Sequence, residues 1–254
     1  MPPVQRQWHA PTDNAQSVVC VCNDNWVTLL GSANGYAVKI PRPGQSMYHG
    51  GPMRYSVILG HPRPGSFNHA IAQVVCENLR CSGHEVAFHD LQAEGFDPVT
   101  PAAELSRDAK LPPDIARHCD EISSADRIVI VHPNWWGQPP AILKGWLDRV
   151  LRMGTAYKFV TNEKGEGAAV GLLKAKWAVV FTTSNTPQSA DRELFGDPLE
   201  NFWKRCVLEF CGVKQVMRVN YDVIITSTPQ QREAWLEDAR QRIAAAECRM
   251  QKPE

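Results

Sequence analysis

"RYSVILGHPRPGSFNHAIAQ", residues 54–73, joins a short apolar run to a helical pattern through a loop punctuated by Gly60, Pro62, Pro64 and Gly65. A strand, a tight loop and a helix in that order form the opening unit of an α/β sheet. Ser66 is the expected helix N-cap, because its hydroxyl can satisfy an amide that the first turn leaves without a partner. The other N–H groups of that turn sit at the positive end of the helix dipole, which makes a ready anion site. Ser66, Asn68 and the local amides are suitable donors, and Arg63 adds a charge. Taken alone, the stretch also reads as an ordinary capped helix.

Outward from this unit the pattern repeats. "HEVAFHDL" (84–91), "DRIVIVHP" (126–133), "KWAVVFTT" (176–183) and "VKQVMRVNYD" (213–222) are β-rich, and helical patterns fill about 112–124, 139–152, 197–211 and 229–248. Five short strands separated by helices predict a parallel sheet covered on both faces. The last helix carries Thr228 as N-cap, Pro229 at its first position and Gln231 to complete a capping box. Residues 1–52 differ: "LLGSANGYAVKIPRPGQSMYHGGP" (29–52) is broken by glycine and proline, and the segment offers one or two strands at most. We expect 1–52 to be a poorly ordered N-terminal extension, or sequence upstream of the natural start, and the folded domain to span 53–254, beginning at Met53. No internal repeat or low-complexity tract interrupts that reading.

The chain has 254 residues, 43 % of them hydrophobic, enough for the core of one large domain or of one domain plus an appendage. Lysine plus arginine equals aspartate plus glutamate at 27 each, so no net field draws it to nucleic acid or an anionic membrane. A small-molecule partner is the better expectation. No run reaches the roughly 18 apolar residues of a membrane span, and the N-terminus lacks the basic start and apolar core of a signal peptide, so a cytoplasmic location is expected. Cys20, Cys22, Cys76, Cys81, Cys119, Cys206, Cys211 and Cys248 include no C-x-x-C pair. Neither a zinc site nor a thioredoxin-type motif is spelled out, and no metal is expected.

In a doubly wound sheet, ligands bind beyond the carboxyl ends of the strands, where the strand order reverses. The loops at 61–68, 133–140 and 182–187 would converge there. The second lies within "HPNWWGQPPAILKGW" (132–146), where Pro133, Pro139 and Pro140 stiffen the backbone and the adjacent Trp135 and Trp136 cannot both enter one core. The third, "TTSNTP", is rich in hydroxyl and amide donors. Together the loops suit a ligand with a phosphate tail and a broad planar head.

"HPxPxSFNxA" after the first strand, "HPNWWGQPPAILKGWLDRVLRMGTAYKF" after the third, and "TTSNTP" followed by "FGD" and "CGV" resemble the NAD(P)H:quinone oxidoreductase family, over about residues 54–245. The resemblance implies a flavodoxin-like, doubly wound five-stranded parallel sheet of order 2-1-3-4-5. It implies that His61, Ser66, Phe67, Asn68 and Ala70 hold the phosphate-bearing tail of a flavin. It sets Pro133, Asn134, Trp135, Trp136 and Gly137 along the isoalloxazine edge, with Trp136 lining the ring and substrate pocket, and Thr182, Thr183, Ser184 and Asn185 near the pyrimidine side. Tyr157 and Phe159 match aromatics that reach the partner subunit's pocket, so a homodimer is expected.

Two departures from the family stand out. Gly137 replaces an aromatic and should open one wall of the pocket. The family's tyrosine and histidine, which help the reduced flavin bear its charge, are absent from "PQSADRELFGD", where Phe195 takes the histidine's place. All eight histidines, ending at His132, precede this segment. Asn185, or Arg192 just after the loop, is a candidate to support the flavin's N1–C2=O side; a solvated charge at a helix start is the other reading of Arg192. "GEGAAVG" (165–171) lacks the G-x-G-x-x-G spacing and reads as a flexible loop near the pocket. The expected activity is two-electron hydride transfer from NADH or NADPH, through FAD or alternatively FMN, to a quinone-like acceptor by a ping-pong scheme. Trp136, Tyr157, Asn185 and Arg192 are its expected catalytic residues. A flavin-binding regulatory subunit or an electron carrier is the alternative, although the chain lacks the acidic surface usual in carriers.

Overall fold

The structure, a computed structural model, describes residues 18–22, 26–31, 37–41, 51–106, 108–161, 165 and 167–249. Strands β1 (Val18–Cys22), β2 (Trp26–Gly31) and β3 (Ala37–Pro41) pair antiparallel in chain order. That is one strand more than the sequence suggested for the segment, whose remaining residues up to 50 lie outside those described.

From residue 54 the expected alternation is present. It runs β4 (Arg54–Leu59), α1 (Phe67–Cys81), β5 (Glu85–Asp90), α2 (Pro113–Ser124), β6 (Arg127–Pro133) and α3 (Ala141–Val150). A hairpin of β7 (Tyr157–Thr161) and β8 (Gly167–Gly171) follows, then β9 (Trp177–Ser184), α4 (Gln188–Phe195), α5 (Pro198–Asn201), β10 (Gln215–Asp222) and α6 (Pro229–Arg249). Helix α5 runs on as a π-helical stretch, Phe202–Glu209. Thr228 caps α6 as expected, its hydroxyl accepting from the Gln231 amide at 3.1 Å.

The five parallel strands lie in the order β10-β9-β6-β4-β5, which is 2-1-3-4-5 when counted along this domain. The strand order reverses between β4 and β6, which lie side by side, so the loops after these strands open into one crevice. Both faces of the sheet are covered. Period-two alternation sends Val57, Leu59, Val129 and Val131 toward Ile71 and Val75 of α1 and Ile243 of α6. It sends Ile58, Ile128 and Ile130 toward Ile115 of α2 and Leu143, Trp146 and Val150 of α3. Central strands β6 and β9 are buried along their whole length, the signature of a sheet layered between helices.

The reading of 165–171 needs correction. Gly167–Gly171 is not a flexible loop but strand β8, paired with β7 in register Tyr157↔Gly171 to Thr161↔Gly167. Its short, glycine-rich and exposed sequence carries no alternation from which a strand could be read.

Candidate active site

At the carboxyl ends of β4, β6 and β9 lies a cavity of about 900 Å³. Its first wall is the β4–α1 loop. Ser66 caps α1 by accepting from the His69 amide at 3.4 Å, and the Phe67 and Asn68 amides have no partner among the described residues. The Ser66 hydroxyl also meets His69 Nδ1 at 2.8 Å, and His69 Nε2 lies 3.1 Å from Asp90. A buried hydroxyl is thus held in place at the mouth of a helix. His61 faces the same space, its pKa lowered chiefly by burial, and its Nδ1 accepts from the Arg63 amide at 3.1 Å.

The second wall is the tryptophan ledge. Trp135 and Gln138 exchange backbone hydrogen bonds at 3.0 Å, and the residues between them, Trp136 and Gly137, have φ of 57° and 71°. Two successive positive φ values are what a type I′ turn requires. Asn134 locks the turn by accepting from the Gly137 amide at 2.9 Å. The amides of Asn134, Trp135 and Gly137 are therefore spent inside the protein. Among the ledge's amides, that of Trp136 has no partner among the described residues. The Trp136 side chain is fully exposed, and a left-handed tryptophan with its ring in the open marks a functional position more readily than a packing one.

Thr183 ties the three loops together. Its hydroxyl accepts from Asn68 Nδ2 at 2.9 Å, and its carbonyl accepts from the Asn134 amide at 2.7 Å. The ledge's root is fixed from below by His132, which is fully buried. Its Nε2 accepts from Trp203 Nε1 at 2.8 Å, so Nδ1 carries the hydrogen given to the Pro133 carbonyl at 2.8 Å. Burial holds this imidazole neutral, with its pKa pushed down to about 4.

His61, Ser66, Phe67, Asn68, Pro133, Asn134, Trp135, Trp136, Gly137, Thr183, Ser184 and Asn185 all line the cavity. Ala70 lies within α1 and Thr182 is buried under the floor, where its hydroxyl donates to Asn220 at 2.8 Å. Neither lines the cavity. Asn185 spends its side-chain oxygen on the Ile225 amide at 3.0 Å. Arg192 stands outside, its side chain 70 % exposed and 4.0 Å from Asp197. Tyr157 is on the hairpin, edge-on to Phe159 and Phe210, also outside the cavity. Gly137 opens no gap, because a Cβ there would lie 2.7 Å from Pro198 Cγ: the proline occupies the vacated space.

The sequence reading missed Asp191, Pro198, Ile224 and Arg232 among the lining residues. For Arg232 a signal was present. A cation in the first turn of α6, which has no acid there, is unfavourable against the helix dipole unless an anion is nearby.

Among the described residues, one cluster, outside the cavity, has metal-ligand chemistry: His89, Glu94 and His118. Trp146 Nε1 donates to His118 Nδ1 at 3.2 Å, which leaves His118 its hydrogen on Nε2, facing Glu94 at 3.2 Å. That nitrogen is occupied by a proton bond rather than presented to a cation.

Residues 53–246 match the family model described as flavodoxin-like fold. The chain is 35 % identical over 200 residues to an uncharacterized NAD(P)H oxidoreductase of Haemophilus influenzae, covering 76 % of this chain and 95 % of the relative. It belongs to the NAD(P)H:quinone oxidoreductase family of flavodoxin-like fold. NAD(P)H dehydrogenase [quinone] 1 of Cavia porcellus is 30 % identical over 69 % of this chain and 70 % of its own. In fold, the family member resembles the NAD(P)H:quinone oxidoreductase of Methanothermobacter marburgensis, with a TM-score of 0.65 at 24 % identity over 80 % of this chain and all of that one. As a member of this family the chain is an oxidoreductase. Among the described residues, no helix is long and apolar enough to cross a membrane.

Proposed function

We propose that the protein binds a flavin, FAD in preference to FMN, in the 900 Å³ cavity and uses it to pass a hydride from NAD(P)H to a quinone-like acceptor. The observation that carries this reading is the convergence of a capped helix with open amides, a flat tryptophan turn and a donor-rich loop on one crevice. The donor set fits the group. Ser66 and the α1 amides, with Arg63 and Arg232, suit the phosphate-bearing tail; the Trp136 amide and the indoles suit a planar heteroaromatic head. Asp191, beside this donor set, is the one carboxylate on the lining among the described residues. When bound, the flavin supplies the hydride chemistry; the chain's residues align the partners and keep water from the reacting face. A single cavity supports alternate occupancy by NAD(P)H and acceptor, as a ping-pong scheme requires.

Hairpin β7–β8 exposes Phe159, Val160 and Val170, with Phe210 nearby, and we read this apolar surface as the contact with a second copy. Tyr157 and Phe159 would then complete the neighbour's pocket. Cys76, Cys119, Cys206 and Cys211 are thiols, which suits a reducing cytoplasm. The test is to release and identify the flavin from purified protein by chromatography, then measure NADH and NADPH oxidation with and without menadione. A colourless preparation that takes up neither flavin would overturn the proposal, and flavin uptake without menadione-dependent turnover would favour a regulatory subunit. Light scattering that gives a monomer with full activity would overturn the dimer.

A further inference from the structure

We propose that Asp191 is the proton donor of the acceptor pocket, the group that replaces the family's missing tyrosine and histidine. The inference rests on the reading of the cavity as a quinone-reduction site. Asp191 sits in the first turn of α4 and lines the cavity, yet it is only 7 % exposed. Its carboxyl has no hydrogen-bond or ion-pair partner among the described residues. Its oxygens stay open to the cavity rather than sealed in the core, so a bound acceptor can meet them. Three nearby acids are engaged otherwise: Asp197 and Glu200 both grip the Arg218 guanidinium, and Asp222 accepts from the Gln188 amide.

The charged groups around Asp191 set its protonation. Burial and the Asp197 carboxylate raise its pKa, and Arg218 opposes them. Arg192, the next residue, turns to solvent toward Asp197, while His61, Arg63 and Arg232 line the same cavity. Asp191 thus keeps its proton to higher pH than an ordinary aspartate, as a general acid must.

The chemistry balances. Reducing a quinone to a hydroquinone takes two electrons and two protons. The hydride from NAD(P)H carries both electrons and one proton. The other comes from the Asp191 carboxyl: its O–H bond breaks, a hydroquinone O–H forms, and the carboxylate regains a proton from solvent at the cavity mouth.

Two measurements test this, with Asp191→Asn and Asp191→Glu. Turnover with menadione, which needs the proton, is compared with turnover with ferricyanide, which takes electrons alone. Asp191→Asn should lower the menadione-to-ferricyanide ratio by roughly 10²-fold, the usual contribution of a general acid, and Asp191→Glu should restore most of it. Independently, infrared titration of the flavin-free protein should show a protonated-carboxyl band that persists above the usual aspartate range and disappears in Asp191→Asn. A ratio within twofold of wild type, or a carboxyl that titrates as an ordinary aspartate, would overturn the proposal. If wild-type protein uses neither acceptor, the quinone-reductase reading fails instead, and the infrared titration still decides the state of Asp191.

Discussion

Substituting Gly137 by alanine probes the turn that carries Trp136. Two costs add at this position. With φ at +71°, an L-residue pays about 1–2 kcal/mol for the left-handed conformation. The new Cβ would also sit 2.7 Å from Pro198 Cγ, well inside the roughly 3.5 Å at which carbon atoms begin to rest. Pro198 starts α5 and packs next to Leu199 in the core, so it yields reluctantly, and overpacking of this kind costs about 1 kcal/mol or more. The expected destabilisation is about 2–3 kcal/mol, read as a lower urea midpoint at unchanged slope. Flavin affinity should fall with it, because the shift moves the Trp136 amide. Gly83→Ala is the control. Gly83 has φ of +84° but nothing within 4 Å of a built Cβ, so it pays the backbone cost alone. Adding Pro198→Ala to Gly137→Ala should recover the steric part. If Gly137→Ala is no more destabilising than Gly83→Ala, and Pro198→Ala does not couple to it, Pro198 does not fill the space that the glycine leaves.

Three further outcomes follow from the geometry. Arg232 donates to Ser227 at 2.7 Å and to the Ile224 carbonyl at 3.1 Å while facing the cavity. Its replacement by alanine should weaken flavin binding by about 10-fold or more, the worth of one charge-assisted contact, in a fluorescence titration. Arg192→Ala should leave NAD(P)H oxidation within about twofold, because an exposed ion pair contributes little; a larger loss would return Arg192 to the mechanism. Finally, His132 and His118, both with pKa pushed down to about 4 by burial, must stay neutral in the fold but protonate near 6.5 once unfolded. The unfolded chain then binds more protons between these values, so the stability is complete above about pH 6.5 and is lost as pH falls toward 4, by roughly 3 kcal/mol for His132. Urea midpoints from pH 7 to 4.5 should fall accordingly, and less steeply in His132→Gln.

Much of this architecture was legible because its causes are local. Ser66 and Thr228 announce helix starts by a hydroxyl spaced to reach an amide, and Val57-Ile58-Leu59 or Ile128 to Val131 announce strands buried on both sides. The tryptophan ledge was readable as a shaped loop from its prolines and glycine. Less legible were elements whose stability comes from elsewhere. Hairpin β7–β8 is exposed over most residues and has no apolar period of its own. Gly137 was misread for the same reason: whether a missing side chain opens a pocket depends on what packs there, and Pro198 arrives from a distant helix.

The same division runs through the site itself. The capped helix start and the ledge are built by short-range devices, a cap and a tight turn, on the loops after β4 and β6. Other lining residues come from later elements, Asp191 and Phe195 from α4, Pro198 from α5 and Arg232 from α6. Thr183 joins the two sets, since its single side chain and carbonyl hold the first loop and the ledge in register while β9 delivers α4 beside them. It follows that changes at Thr183 or Asn68 should disturb cofactor binding whatever the acceptor, whereas changes at Asp191 or Pro198 should alter which acceptors are reduced. A sheet whose shared loops and later elements are separated in this way can keep one site and vary its chemistry.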